Sequence, residues 1–224
     1  MKNLYYIRYF LYIAWNWNVR LALFSIYHEY KGEKKYGLDT TKLNDLQKLT
    51  IAGQNLQFAE VYQGASYYLL EQIFATLKLL QTPDGFADVG CGKGRVLVVA
   101  AYNGFKRITG IEFAKELWSE AVSNVNRVAE KFPEASIEVI HQDAATFTFG
   151  HYLHVFFFFN PFQERVLKQV VANILKSTKK YPRKVWVVYM NPQHKTELVN
   201  NGFKEVAFMK KMQFVEAAIY EKGP

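Results

Sequence analysis

The segment Phe86-Ala87-Asp88-Val89-Gly90-Cys91-Gly92-Lys93-Gly94-Arg95 decides the fold of this 224-residue chain. A short apolar run precedes three glycines at alternate positions, and a second apolar run, 96–101, follows them. This pattern predicts a buried strand, a tight turn and a helix that begins at the turn. Glycine allows positive φ and a close ligand approach, and the first turn of a helix offers unpaired N–H groups. The segment is therefore typical of a ligand-binding corner.

The spacing of the glycines favours a particular class of ligand. Dinucleotide enzymes prefer G-x-G-x-x-G, whereas Gly90, Gly92 and Gly94 give G-x-G-x-G with Asp88 two residues ahead. This arrangement resembles motif I of the class I S-adenosylmethionine (AdoMet) methyltransferases. The resemblance implies that Asp88 faces the ammonium group of AdoMet, or a water bound to it. It also implies that the backbone from Gly90 to Gly94, with Cys91 between them, holds the methionine end.

Composition limits the class of protein. A half-hydrophobic chain of this length can bury one substantial core. The net charge of +8 suits a nucleic acid, an anionic membrane or an acidic protein, but the basic residues are scattered, so a basic soluble enzyme fits equally. The single cysteine, Cys91, excludes an internal disulfide and fits a reducing, cytoplasmic compartment. We interpret Cys91 as a packing residue, and the five histidines show no metal-ligand grouping.

The first 30 residues are rich in aromatic side chains, and Arg8, Tyr12, Asn16 and Arg20 recur at every fourth position. This period predicts one polar stripe along a helix. The longest charge-free stretch has 11 residues, about half of the roughly 20 needed to span a bilayer. We expect neither a transmembrane helix nor a secretory signal, since no small-residue cleavage site follows. Core packing or a lid over the active site is favoured, and peripheral membrane docking is the alternative.

The polar segment 32–53 is predicted to connect this extension to the catalytic core. The expected domains are an N-terminal helical extension or lid, 1–53, and a methyltransferase domain, 54–224. A Tyr-rich segment with Tyr62, Gln63 and Ser66 then leads into a predicted helix. In many class I methyltransferases such a segment folds over the methionine end of the cofactor, so the resemblance implies these three residues as site candidates. The alternative is that the tyrosines pack on the sheet.

Acidic residues follow the first three predicted strands. Glu112 ends the second strand about 20 residues beyond the glycine turn, where an acid can accept hydrogen bonds from both ribose hydroxyls. The resemblance implies that Asp143, after the third strand, binds the adenine amino group with the backbone of Ala144 nearby, and that Phe113 also lies at the cofactor. We expect Asp88, Glu112 and Asp143 to line one crevice.

The fourth predicted strand, 155–159, runs directly into Asn160-Pro161-Phe162. This sequence resembles motif IV of enzymes that methylate amino or amide nitrogens, which often reads Asn/Asp-Pro-Pro-Tyr/Phe, although only one proline is present here. The resemblance implies that Asn160 contacts the cofactor and points its oxygens at the incoming nitrogen. It implies further that Phe162 borders the methyl-transfer path and that Tyr62 faces the acceptor. The alternative is an ordinary strand-to-helix turn.

The end of the chain distinguishes the fold from a dinucleotide-binding domain. After a fifth strand and a short helix, the predicted strands 203–209 and 214–220 are separated only by a tight turn, so they must pair antiparallel. The fold is expected to be α/β: a doubly wound, seven-stranded, mostly parallel sheet with an antiparallel C-terminal hairpin, plus the N-terminal helical extension.

The resemblance implies an AdoMet-dependent methyltransferase that needs no metal. Among acceptors, a protein amine or lysine nitrogen comes first and a small molecule second. RNA comes third, because the sequence shows no clustered basic patch. A non-catalytic AdoMet-binding scaffold protein and a NAD-dependent oxidoreductase are the competing classes.

Overall fold

The structure is a computed structural model that describes residues 2–41, 64–159, 164–212 and 215–224. The helices in these ranges are α1 (Lys2–Asn16), α2 (Val19–Tyr36), α3 (Tyr67–Leu79), α4 (Arg95–Tyr102), α5 (Lys115–Ala129), α6 (Glu164–Lys180) and α7 (Lys195–Asn200). The strands are β1 (Gly85–Val89), β2 (Arg107–Glu112), β3 (Ser136–His141), β4 (Val155–Phe159), β5 (Val185–Met190), β6 (Lys204–Lys211) and β7 (Val215–Lys222).

The strands form one seven-stranded sheet in the order β3-β2-β1-β4-β5-β7-β6. The first five strands along the chain pair in parallel, whereas β7 pairs antiparallel with both β5 and β6. The predicted doubly wound sheet with its antiparallel C-terminal hairpin is therefore confirmed. The strand order reverses between β1 and β4, and in open α/β sheets the ligand crevice lies outside the carboxyl ends of the strands at such a point.

Helices cover both faces of the sheet, which explains the continuous apolar run of β4. Val155 and Phe157 belong to a core layer shared with α3, α4 and α5. Phe156 and Phe158 point to the opposite layer, which they share with α6 and α7. Because side chains alternate along a strand, a central strand covered on both sides needs apolar residues at every position.

The N-terminal region is a pair of helices rather than the single predicted helix. The break falls at Trp17 and Asn18, where the Asn18 side chain caps α2 by accepting a hydrogen bond from the Leu21 N–H at 2.8 Å. Arg20 therefore lies in a different helix from Arg8. The four-residue spacing of polar residues did not predict this break, because such a spacing carries no information about where a helix is capped.

The predicted start of connecting structure at Gly32 is also wrong, because α2 continues to Tyr36. Gly32 lies against the ring of Tyr67, where a Cβ atom would overlap the ring. Glycine at this position allows α2 and α3 to approach each other closely. It does not end the helix. Tyr36 and Leu38 consequently join the main core layer.

Candidate active site

The glycine turn after β1 depends on left-handed backbone conformations. Gly90, Gly92 and Gly94 have φ values of +82°, +53° and +75°, which residues with a Cβ rarely adopt. The N–H groups of Gly90 and Cys91 both donate to the Ile111 carbonyl at 2.9 Å. Burial raises the pKa of the Cys91 thiol well above its usual value, with a further contribution from nearby carboxylates. This keeps the thiol protonated and favours a packing role for Cys91.

Asp88 is a buried carboxyl group at the carboxyl end of β1. The residue is 2% exposed, and among the described residues no group hydrogen-bonds to its Oδ2 atom. Burial raises the pKa of Asp88 well above its usual value, and the charge of Glu112 raises it further. A buried acceptor without a partner costs free energy. Asp88 is therefore suited to a cationic hydrogen-bond donor that arrives with a ligand.

Glu112, the last residue of β2, ties the glycine turn to the second strand. Its Oε2 accepts a hydrogen bond from the Gly92 N–H at 2.8 Å, and its Oε1 accepts one from the Ala114 N–H at 2.9 Å. Burial raises the pKa of Glu112, while these backbone hydrogen bonds oppose the shift. A carboxylate offers about four lone-pair sites, so each oxygen retains capacity for a hydroxyl donor.

Asp143 and Ala144 begin a short 3₁₀ turn, 144–146, just beyond β3. Asp143 Oδ1 accepts a hydrogen bond from the Ala145 N–H at 2.9 Å. The preceding Gln142 N–H donates to the Glu112 carbonyl at 3.0 Å, and the half-buried Phe113 follows Glu112 directly. The three acids therefore lie at, or just beyond, the carboxyl ends of three adjacent strands.

Several predicted site residues lie outside the described part of the chain. These are Tyr62, Gln63, Asn160 and Phe162, which fall in the segments 42–63 and 160–163. Ser66 is described, and it lies immediately before α3 at the wall of a cavity.

That cavity has a volume of about 380 Å³ and lies between the N-terminal helices and the carboxyl ends of β4 and β5. Tyr9, Ile13 and Trp17 line it from the helical side, and Phe159 and Met190 line it from the strand ends. Phe159 is the last described residue before Asn160. The wall combines aromatic and aliphatic residues with the polar residues Ser25, Glu29, Ser66, Asn191 and Glu216.

Asn191 is a polar residue of the cavity wall that the sequence analysis missed. It follows β5 with φ of +50°, and its N–H donates to the Glu216 carbonyl at 3.0 Å. A non-glycine residue at positive φ is uncommon and is concentrated at functional sites. The signal was present in the sequence, because Asn191-Pro192 after β5 repeats Asn160-Pro161 after β4.

Arg95 connects the glycine turn to α2 through a buried ion-pair network. It is the first residue of α4, and its Nη2 lies 2.8 Å from Glu29 Oε2 and 3.3 Å from Glu33 Oε1. Its Nε donates to Thr40 Oγ1 at 2.7 Å, and its guanidinium lies 4.1 Å from the centre of the Tyr67 ring. The network therefore holds α2 on the core. We call these residues the Arg95 network.

The Arg95 network contains two carboxylates and one guanidinium. Glu33 also accepts hydrogen bonds from the backbone and hydroxyl of Thr40 and from the Tyr67 hydroxyl. Glu29 lines the cavity, and burial raises its pKa, although Arg95 opposes this shift. Among the described residues, two acids thus share the guanidinium of Arg95, and Glu29 is the one that lines the cavity.

Residues 86–180 match the family described as the methyltransferase domain. In a search of curated proteins, nothing matched the chain. Solved structures are similar in fold, and one is the magnesium protoporphyrin IX methyltransferase of Synechocystis PCC 6803, solved with bound SAM. It is 17% identical and has a TM-score of 0.51, with 69% of this chain and 77% of that chain covered.

Two further structures have comparable scores. A Pyrococcus horikoshii protein assigned provisionally as an RNA methyltransferase is 17% identical with a TM-score of 0.52, covering 79% of this chain and 93% of that one. A Haemophilus influenzae protein assigned provisionally as a methylase is 16% identical with a TM-score of 0.51, covering 69% and 96%. At such identities the likeness concerns the fold alone.

The strand order and the glycine turn after β1 define the class I methyltransferase fold. The family match lies over this same turn and the next three strands. The chain therefore contains a methyltransferase domain over residues 86–180 with the class I AdoMet-dependent fold, and AdoMet is its cofactor. Asp88 Oδ2, which has no hydrogen-bond partner among the described residues, and the glycine turn fit a ligand with an ammonium group. Within the described ranges, no group of three or more His, Cys, Asp or Glu side chains is suited to a metal ion.

Proposed function

We propose that this enzyme transfers the methyl group to an amine nitrogen, foremost that of a protein lysine side chain. The observation that carries the proposal is the cavity at the ends of β4 and β5. Its wall contains the acids Glu29 and Glu216, which pair with Arg95 and Lys210, whereas none of the described wall residues is itself a lysine or arginine. An amine on an apolar stem fits a wall of acids and apolar side chains better than a phosphate-bearing acceptor such as RNA does.

Asp88 and the backbone from Gly90 to Gly94, with Cys91 and Gly92 between them, are proposed to hold the methionine end of the cofactor. The support is the free acceptor on Asp88 and the open left-handed turn. We assign the ribose hydroxyls to Glu112, beside Phe113. We assign the adenine to Asp143 and Ala144, because they follow β3, the strand next to β2.

Asn160, Phe162 and Tyr62 are proposed to face the acceptor. The support for Asn160 and Phe162 is that the chain enters them from Phe159 in the cavity wall, whereas Tyr62 rests on the family resemblance. AdoMet supplies a methyl group already activated on a sulfonium. The protein then contributes by holding the amine in line, and such positioning is worth up to roughly 7–11 kcal/mol. An acceptor bound as an ammonium would first lose a proton to water. Its freed nitrogen lone pair would then form the new N–C bond, while the electrons of the C–S bond would stay on sulfur.

We further propose that the extension 1–53 covers the acceptor cavity of the domain 54–224. Its described helices form one side of that cavity. The buried, free Cys91 suits a reducing, cytoplasmic location, and a peripheral membrane contact through residues 1–30 is part of this proposal. No helix in the described ranges is both long and apolar enough to cross a membrane.

A small apolar amine is the second candidate acceptor. The volume of the cavity, about 380 Å³, lies within the range of about 300–1,000 Å³ that is usual for small-molecule sites. Free amines and lysine side chains share the charge that Glu29 would recognise. They differ in whether the methylated product is a macromolecule.

The acceptor class is tested by incubating the enzyme with methyl-labelled AdoMet and fractionated cell extract. We expect the label in the protein fraction, at lysine. Glu29→Gln should lower kcat/KM for the amine at least tenfold while the affinity for S-adenosylhomocysteine stays the same, since a charge-assisted hydrogen bond is worth about 1.5–3 kcal/mol. Glu71→Gln is the matched control, because Glu71 pairs with Lys35 away from the cavity.

Label in RNA would overturn the amine acceptor. Label in solvent-extractable material would favour the small amine. Binding of AdoMet without turnover on any fraction would favour the scaffold protein.

A further inference from the structure

The exposed apolar residues of the protein are concentrated on the N-terminal helices. The exposed large apolar side chains of residues 6–30 are Ile7, Leu11, Tyr12, Trp15, Trp17, Val19, Leu23, Tyr27 and Tyr30. In the other described ranges only five large apolar residues are exposed to this degree. Monomeric proteins rarely expose a contiguous apolar patch of more than a few hundred Å² without a binding role.

These side chains form a stripe on each helix. On α1 the stripe is Ile7, Leu11 and Trp15, and on α2 it is Val19, Leu23 and Tyr27. Residues four apart lie on one helix face, while Tyr9, Ile13 and Leu21 on the other faces are buried. We call the two stripes together the hairpin surface.

The two stripes flank one helix–helix contact. The rings of Tyr12 and Trp17 meet near the connection between α1 and α2, with centroids 5.9 Å apart. The rings of Tyr6 and Tyr30 meet at the far end, with centroids 6.2 Å apart. Because Tyr12, Trp17 and Tyr30 are themselves exposed, the contact between the helices lies at the protein surface with a stripe beside it on each helix.

The exposed charges of residues 6–36 are all positive. They belong to Arg8, Arg20, Lys31, Lys34 and Lys35. The two acids of the same segment, Glu29 and Glu33, are buried in the Arg95 network. Lys35 pairs with Glu71 of α3. The exposed side of the hairpin therefore combines apolar stripes, aromatic rings and the basic charges of Arg8, Arg20, Lys31 and Lys34.

We propose that the hairpin surface docks on an anionic lipid bilayer, with α1 and α2 lying in the interface. Tryptophan and tyrosine prefer the headgroup region, and basic side chains are attracted to anionic lipids. A protein partner or a second copy of the chain would be expected to offer acidic or apolar residues instead, and both are outcomes of the test. This docking rests on the membrane contact in the proposed function and makes it more specific. Vesicle binding is measured without methyl transfer, so failure of the docking proposal can be told apart from failure of the proposed function.

The location of the cavity gives the docking a consequence. Trp17 lies both in the cavity wall and at the exposed end of the hairpin. The bilayer would therefore lie beside the acceptor cavity, which suits an amine that emerges from the membrane surface.

The test is co-sedimentation of the full chain with vesicles of phosphatidylcholine alone and of phosphatidylcholine mixed with phosphatidylglycerol. We expect binding to the anionic vesicles, with a blue shift of tryptophan emission, and binding that weakens steeply with added salt. Trp15→Ala should weaken vesicle binding about tenfold, because a large apolar side chain no longer enters the interface. Arg20→Glu should weaken it by about fivefold or more.

Leu79→Ala is the matched control. Leu79 is 84% exposed and Trp15 is 90% exposed, but Leu79 lies at the end of α3 outside the hairpin. All variants should keep the circular dichroism spectrum and the S-adenosylhomocysteine affinity of the parent. The proposal is overturned if Trp15→Ala and Leu79→Ala bind vesicles equally, or if vesicle binding ignores lipid charge. It is also overturned if light scattering shows a dimer that Trp15→Ala dissociates.

Discussion

Replacing Arg95 by methionine should destabilise the protein by about 3–5 kcal/mol. This is the cost of removing one partner of a buried ion pair and leaving the other charge uncompensated. Arg95, Glu29 and Glu33 are 2%, 4% and 7% exposed, so water cannot replace the guanidinium. Such a loss is a large share of the roughly 5–15 kcal/mol by which domains are stable.

Urea unfolding at pH 7, followed by tryptophan fluorescence and circular dichroism, measures the change. Arg107→Met is the matched control, because Arg107 pairs with Asp84 at 2.9 Å but both side chains are 40% exposed or more. Exposed pairs contribute about 0–1 kcal/mol, and we expect the control to lose no more than that. Arg95→Lys should lie between the two, since lysine keeps the charge but cannot make the forked contacts.

Limited proteolysis gives a second measurement on the same variants. We expect the α1–α2 hairpin to become cleavable in Arg95→Met before the sheet domain does. The reasoning is refuted if Arg95→Met and Arg107→Met differ by less than about 1 kcal/mol, the scale of one ordinary hydrogen bond.

Three further predictions concern the cofactor site and the packing of α2. Asp88→Asn should raise the Kd for AdoMet by roughly 10- to 150-fold, the loss of a charged hydrogen bond worth about 1.5–3 kcal/mol, as measured by calorimetry. The affinity for S-adenosylhomocysteine should rise with pH by up to about tenfold per unit, with proton release, because Asp88 is protonated below its raised pKa and the ligand ammonium requires the carboxylate. Gly32→Ala should cost about 1–3 kcal/mol in thermal or urea unfolding by overlap with the Tyr67 ring.

Each of these predictions has a control or a contradicting result. An unchanged Kd in Asp88→Asn would show that Asp88 does not bind the methionine end of AdoMet. The pH dependence should vanish in the same variant, and its persistence would assign it to another group. Gly223→Ala is the control for Gly32→Ala, since no atom lies within 4 Å of the added Cβ. Equal losses of stability in the two variants would show that the close approach of α2 to α3 does not matter.

The stability of the ligand-free protein should follow the same ionisation with a defined sign. The folded-state pKa of Asp88 lies above its ordinary value of 3.8. The contribution of Asp88 to the free energy of unfolding is therefore complete below pH 3.8 and is lost as the pH rises through the folded-state pKa. Saturating S-adenosylhomocysteine should reduce this loss, because its ammonium stabilises the ionised form.

The alternation of strands and helices could be predicted because each element has a local signal. The glycine turn, the apolar run of β4 and the short turn before β7 depend on residues that are neighbours in sequence. The carboxyl-edge positions of Asp88, Glu112 and Asp143 follow from the parallel order. Their roles toward the cofactor remain predictions.

The Arg95 network could not be predicted in the same way. Arg95 and its two carboxylates are separated by more than 60 residues, and no local pattern pairs them. Glu29 and Glu33 are four residues apart on one helix, which resembles an ordinary solvated face. Only the packing of α2 against α3 brings them to the guanidinium and removes them from water.

The position of Arg95 immediately after the last glycine of the turn also limits how this enzyme can be altered. A shorter version that keeps only the sheet domain would remove Glu29 and Glu33, the two acids that pair with Arg95, right beside the glycine turn. Exchange of the first 41 residues with those of a related enzyme would succeed only if the donor supplies two acids with the same spacing. This one arginine therefore links the packing of α2 to the glycine turn.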